Sequence, residues 1–174
     1  MAGPISSESK KTAVLIMDYQ IRIINFFPKE IQDGLITRVN GVLTAARRKG
    51  IPVIYVDVLR GERTPEHAIV PQLVPQPGEV MVTKHRVGPF STTDLNDRLK
   101  KQGIETLVLM GIASSGCVLS TVRWAADIDY KLIVLSDCCA DRDDEVQRVL
   151  MEKIFPSQAT VTTSREFLEA VAKI

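Results

Sequence analysis

The chain has 174 residues, which makes one compact domain the default and lets it bury roughly two-thirds of its unfolded surface. Lys and Arg (22) nearly balance Asp and Glu (21), and the net charge of +1 is spread along the chain, so charge gives no case for binding nucleic acid or a membrane surface. No apolar run approaches the ~20 residues that span a bilayer, and three cysteines, two of them adjacent, make no disulfide framework, so a cytoplasmic, reducing setting is expected.

Residues 1–11 are polar, lack the apolar stretch of a signal peptide, and read as a flexible tail ahead of a single domain at 12–174. Ala13–Met17 is an apolar strand ending at Asp18. Glu30–Lys49 has Ile31, Leu35, Val39, Val42, Leu43 and Ala46 at helical spacing, basic residues at its C-terminal end and Gly50 as its cap. Pro52–Val58 is a second strand and Glu79–Thr83 a third, ending at Lys84; between them Gly61–Gly78, with four prolines, shows no clear element. A helix capped by Ser91 is expected to close at Gly103. Glu105–Met110 is the fourth strand. It leads through Gly111 and small polar residues to Cys117 and a helix over Val118–Asp127. Strand Lys131–Ser136, a helix from about Asp143 to Ile154, strand Ala159–Thr162 and a helix over Arg165–Ala172 complete the order. Thr163 and Glu166 have capping-box spacing before that last helix.

Continuous apolar strands alternating with amphipathic helices specify a three-layer α/β/α, Rossmann-like domain on a mainly parallel sheet. Ligands of such sheets bind outside the carboxyl ends of the strands. Asp18, Lys84 and Cys117 all fall there. A cysteine at the start of a helix has its thiolate favoured by unpaired N–H groups and the helix dipole, which is expected to lower its pKa. A carboxylate can take the thiol proton, and a lysine can hold that carboxylate ionised. Each residue also has an ordinary reading: a buried small hydrophobe, a turn residue and a solvated cation.

Four segments resemble a known family: Leu15-Ile-Met-Asp-Tyr-Gln20, Lys84-His-Arg-Val-Gly-Pro-Phe-Ser-Thr-Thr-Asp-Leu95, Gly111-Ile-Ala-Ser-Ser-Gly-Cys-Val118 continuing to Thr121 and Ala125-Ala126, and Leu135-Ser-Asp-Cys-Cys-Ala140. In this order and spacing they are similar to the isochorismatase-like cysteine hydrolases, which include nicotinamidases and N-carbamoylsarcosine amidases. The resemblance implies a six-stranded sheet and a catalytic triad of Asp18, Lys84 and Cys117. It also implies a cis peptide between Ile112 and Ala113, and an oxyanion hole from the backbone N–H groups of Ala113 and Cys117. The expected activity is cysteine-dependent hydrolysis of a small amide-like substrate through a thioester, by a homodimer or homotetramer. Hydrolysis of a vinyl ether, as in true isochorismatases, and a non-catalytic binding module of the same fold are the alternatives. Gln20, Phe26, Arg86 and Phe90 are expected to bind substrate, against ordinary readings as a turn cap, core packers and a surface charge. Nicotinamidases carry a metal held by one Asp and several His. Here Asp57 is followed by no nearby histidine and the chain has only His67 and His85, so no metal or other cofactor is expected. Asp137, Cys138 and Cys139 are expected to be structural, and Trp124 an interior or interface anchor.

Overall fold

A computed structural model describes residues 11–173, so the expected tail lies outside the described residues except for Lys11. The Lys11 carbonyl accepts the Glu105 N–H at 2.8 Å and its ammonium lies 3.0 Å from the Glu105 carboxylate. Six strands form one sheet: β1 (Thr12–Met17), β2 (Val53–Val58), β3 (Val80–Lys84), β4 (Thr106–Ile112), β5 (Lys131–Ala140) and β6 (Thr160–Thr162). Their order is β3-β2-β1-β4-β5-β6 and every pair is parallel.

Alternate residues of the central strands feed two cores. Val14 and Ile16 of β1 face α2 (Lys29–Arg48) and α6 (Ser164–Ala172), where they pack with Leu35, Val39, Leu43 and Phe167. Ala13, Leu15 and Met17 face α3 (Leu95–Lys101), α4 (Leu119–Asp127) and the segment after α5 (Asp144–Val149), packing with Leu99, Val122 and Phe155. Burying each such side chain stabilises the fold by roughly 1.5–3 kcal/mol relative to leaving it in water. Both faces of the sheet are therefore covered, which is why its strands read as unbroken apolar runs. The helix ends follow local chemistry. Gly50 (φ 67°) takes the left-handed conformation that ends α2, and Thr163 and Glu166 form the reciprocal capping box of α6.

Four elements depart from the sequence reading. α3 begins at Leu95, because Thr93 spends its hydroxyl on the Pro89 carbonyl (2.6 Å) and holds 91–94 in turns. β5 runs past Ser136 to Ala140, since Asp137 is satisfied inside the strand: its oxygens accept the Ser164 N–H and hydroxyl, both at 2.7 Å. A short α1 (Ile21–Ile24) follows β1. The 61–78 segment is packed, with 3₁₀ turns at Pro65–His67 and Pro71–Leu73, buried Ile69, Val70 and Leu73, and an antiparallel bridge from Ile69 to Gln20. No helix among the described residues is long and apolar enough to cross a membrane.

Candidate active site

The order of the sheet reverses between β1 and β4, and an open parallel sheet forms its crevice at that switch point. Asp18 leaves β1 there and Cys117 follows β4. β3 is the edge strand on the β2 side, and its last residue, Lys84, lies in register with Val58. Asp18 is held in the left-handed region (φ 60°), an uncommon conformation for a residue with a side chain, and its N–H bonds the Val56 carbonyl at 2.8 Å. The three side chains are sequestered: Asp18 is 5%, Lys84 1% and Cys117 2% exposed.

The Lys84 ammonium donates to Asp18 Oδ2 at 2.7 Å. Oδ1 of the same carboxylate is buried and has no partner of hydrogen-bond geometry among the described residues. Burial pushes the Asp18 carboxyl up to about 6, against the charge and hydrogen bond of Lys84 and the Cys117 thiol, which lower it. The thiol itself moves opposite to the expectation from sequence. Burial, and then the Asp18 charge, push it well above its usual range, with Lys84 opposing. Cys117 is not the first residue of an α-helix but lies inside a π-helical turn, Ser114–Val118, which α4 continues. Its Sγ faces the Ile112 carbonyl at 3.3 Å. The thiol is thus protonated at rest, beside a carboxylate whose proton affinity has been raised toward its own.

The peptide bond between Ile112 and Ala113 is cis. Space around the sulfur is tight: a Cβ at Gly111 would lie 3.0 Å from Val118 Cγ2 and 3.1 Å from Cys117 Sγ. Two further residues fix the turn. Asp141 accepts the Ser115 N–H at 2.7 Å, and Thr121 donates to the Cys117 carbonyl at 2.7 Å. Asp141 escaped the sequence reading because β5 was expected to end at Ser136. With the strand continued to Ala140, it stands on the same rim as Cys117.

The expected substrate-binding residues separate. Gln20 is fully buried and its amide is used internally: Nε2 donates to the carbonyls of Val58 (3.1 Å) and His67 (2.8 Å), while Oε1 accepts the Val58 N–H (2.9 Å). It is a clamp between the end of β2 and the 61–78 segment. Phe90 is buried, tilted against Tyr130 with ring centroids 6.2 Å apart. Phe26 is exposed, with the Arg142 guanidinium 5.0 Å from its ring centroid, and lines a surface cavity with Arg22, Asn25, Glu66 and His67. Arg86 is exposed on the segment leaving Lys84. Burial pushes Cys138 above its usual range and Cys139 up to about 12, as inert core thiols require. Trp124 is about half exposed.

The residues do not fit the Asp-and-His metal site of nicotinamidases. Asp57 Oδ2 accepts the Arg63 guanidinium at 2.8 Å, His67 is bound through both ring nitrogens to Thr64 and Arg22, and His85 Nδ1 pairs with the Leu59 carbonyl at 2.8 Å. No cluster of three potential ligands occurs among the described residues.

Residues 12–166 match the isochorismatase domain family, and the chain belongs to that family of hydrolases. It is similar to the isochorismatase family protein YwoC of Bacillus subtilis, 29% identical over 98% of this chain and 100% of that protein. It is also similar to the ureidoacrylate amidohydrolase RutB of Agrobacterium fabrum, 27% identical over 98% of this chain and 90% of that one. Among solved structures, an isochorismatase family protein from Burkholderia thailandensis superimposes with a TM-score of 0.87 and 28% identity, covering 98% of this chain and 100% of that chain.

Proposed function

We propose that the protein is a cysteine-dependent amidohydrolase that cleaves the C–N bond of a small amide-like substrate through a thioester on Cys117. The observation that carries this reading is the sequestered set of Asp18, Lys84 and Cys117, with one carboxylate oxygen on the ammonium and the other left free. The similarity to a protein named as an amidohydrolase supports it.

Asp18 Oδ1 takes the thiol proton as Sγ attacks the carbonyl carbon, so no standing thiolate is required. The backbone N–H groups of Ala113 and Cys117 hold the tetrahedral oxyanion. Asp18 returns the proton to the departing nitrogen, the C–N bond breaks and the thioester remains. Water then attacks the thioester carbonyl while Asp18 takes a water proton. The C–S bond breaks, and Asp18 hands the proton to the sulfur. One amide and one water become one acid and one amine. Lys84 keeps Asp18 ionised between these transfers. The reading includes a free small-molecule substrate, no cofactor, a cytoplasmic location and a homodimer or homotetramer.

A panel of small amides and ureido compounds assayed for ammonia release, with quenched samples weighed by mass spectrometry, tests this reading. A substrate-dependent acyl adduct on the Cys117 peptide is expected. Turnover without such an adduct under any quench would remove the thioester.

The pH dependence follows from Asp18. The base must be ionised, so kcat/KM is expected to fall below an apparent pKa of about 6. Its contribution to stability has the opposite sign. The folded chain binds this proton more tightly than the unfolded one, so the contribution grows as pH falls through about 6 toward the ordinary carboxylate range. A pH–rate profile whose acid limb lies near 4 would contradict the assignment of Asp18 as the base.

A further inference from the structure

Buried polar side chains in folded proteins nearly always have a hydrogen-bond partner. Four such atoms have none among the described residues: Asp18 Oδ1, Asp57 Oδ1, Ser114 Oγ and Gln147 Oε1. The first three stand at or next to the C-terminal ends of β1, β2 and β4, which are neighbours in the sheet. The orphaned groups therefore form a row along the rim that carries Cys117. Asp18 acts there as the base, and Asp57 stands at its side.

The backbone fixes that neighbourhood. The Val14 N–H bonds the Pro52 carbonyl, and Val14 is paired with Val53. The Asp18 N–H bonds the Val56 carbonyl at 2.8 Å, which repeats the pattern one residue beyond the last pair, Met17 and Val56. Asp18 is thus opposite Asp57, one strand spacing of about 4.8 Å away. Burial, Lys84 and the Cys117 thiol act most on the Asp18 carboxyl, and the Asp57 charge then adds to the upward push. Asp57 is itself 3% exposed and firmly held. Its Oδ2 accepts the Arg63 guanidinium at 2.8 Å, and the following residue, Val58, is gripped by the Gln20 amide through both its N–H and its carbonyl. Oδ1 is a fixed, buried acceptor with capacity for one more hydrogen bond.

In the sheet order β2-β1-β4, Asp18 lies between Asp57 and the strand that leads to Cys117. The water that splits a thioester enters where the amine left, on the Asp18 side of the sulfur, and it carries two hydrogens. Asp18 Oδ1 takes one. We propose that Asp57 Oδ1 holds the other, which makes Asp57 a second catalytic carboxylate that aims the hydrolytic water. With both hydrogens directed, a lone pair of the water faces the thioester carbon. The water oxygen bonds to that carbon. One proton passes to Asp18 and on to the sulfur as the C–S bond breaks, and the hydrogen on Asp57 leaves with the acid product. Asp57 neither gains nor loses a proton. This rests on the amidohydrolase reading and adds a fourth side chain to Asp18, Lys84 and Cys117.

The test is a partition experiment on Asp57→Asn. Arg63 retains the amide oxygen of the asparagine, so an N–H donor takes the place of the free acceptor. Hydroxylamine is a stronger nucleophile than water and depends less on being aimed. The acyl donor is acetamide or, if acetamide does not acylate the parent, an amide of the panel above that does. The ratio of hydroxamate to acid produced counts only working molecules, so it is insensitive to partial misfolding. Asp57→Asn is expected to raise that ratio by roughly 10–100-fold, the loss typical of one hydrogen bond to a charged group. A larger share of the variant is also expected to carry the acyl adduct on the Cys117 peptide. An unchanged ratio, with the adduct present on the parent, overturns the role of Asp57 and leaves the amidohydrolase reading standing. A parent that forms no adduct with any amide of the panel removes both. A crystal structure of the parent needs neither variant nor turnover. A water within hydrogen-bond distance of both Asp18 Oδ1 and Asp57 Oδ1 is expected, and a protein donor on Asp57 Oδ1, or no such water, overturns the proposal.

Discussion

Cys117→Ser is expected to lower kcat on an amide substrate by about 10⁴-fold or more, the scale seen when a nucleophile that acts with its base as one unit is removed. A carboxyl poised at about 6 is matched to a thiol and far too weak a base for a serine hydroxyl. A modest loss of stability is expected as well, because the smaller and more polar hydroxyl fills the buried thiol's place less well. Steady-state rates together with thermal melts check both statements. Turnover that survives in the serine variant would instead favour ether hydrolysis, in which protonation does the chemistry and the thiol is a bystander.

Lys84→Met is expected to have the largest effect on stability, and the effect is expected to depend on pH. Methionine keeps the buried stem of the side chain but removes the ammonium that lies 2.7 Å from Asp18. A buried carboxylate left without its partner typically costs about 3–5 kcal/mol. The cost is greater at pH 8 than at lower pH. Near pH 5 Asp18 takes up a proton and much of the cost disappears. The same change raises the proton affinity of Asp18 further, by about one to three pH units, so the acid limb of activity moves upward. Urea denaturation at both pH values and a pH–rate profile measure these effects. Adding Asp18→Asn to Lys84→Met is expected to restore most of the lost stability at pH 8. Equal destabilisation at the two pH values would mean that the two groups are not coupled as charges.

The architecture was legible because its carriers are local. Unbroken runs such as 53–56 and 107–110 announce strands covered on both faces, and strand ends place Asp18, Lys84 and Cys117 on one rim. What escaped depends on partners far away in the chain. Nothing near Gln20 indicates that its amide is consumed by Val58 and His67, 38 and 47 residues away. Nothing near Phe90 indicates that its ring packs on Tyr130, far along the chain. Asp137 is structural, as expected, but nothing near it indicates that Ser164, 27 residues on, supplies both of its donors and that β5 runs on to Ala140. The thiol was misjudged for a related reason. A helix N-terminus can be read from sequence, but the depth at which the turn is sunk, and the carboxylate that faces it, are products of packing.

That depth governs the encounter of Cys117 with other molecules. At 2% exposure the sulfur is shielded from glutathione, protein disulfides and bulky electrophiles, and its protonated state slows slender ones. A covalent inhibitor for this enzyme would have to be narrow and weakly electrophilic, and would have to draw its reactivity from the same base that serves the substrate.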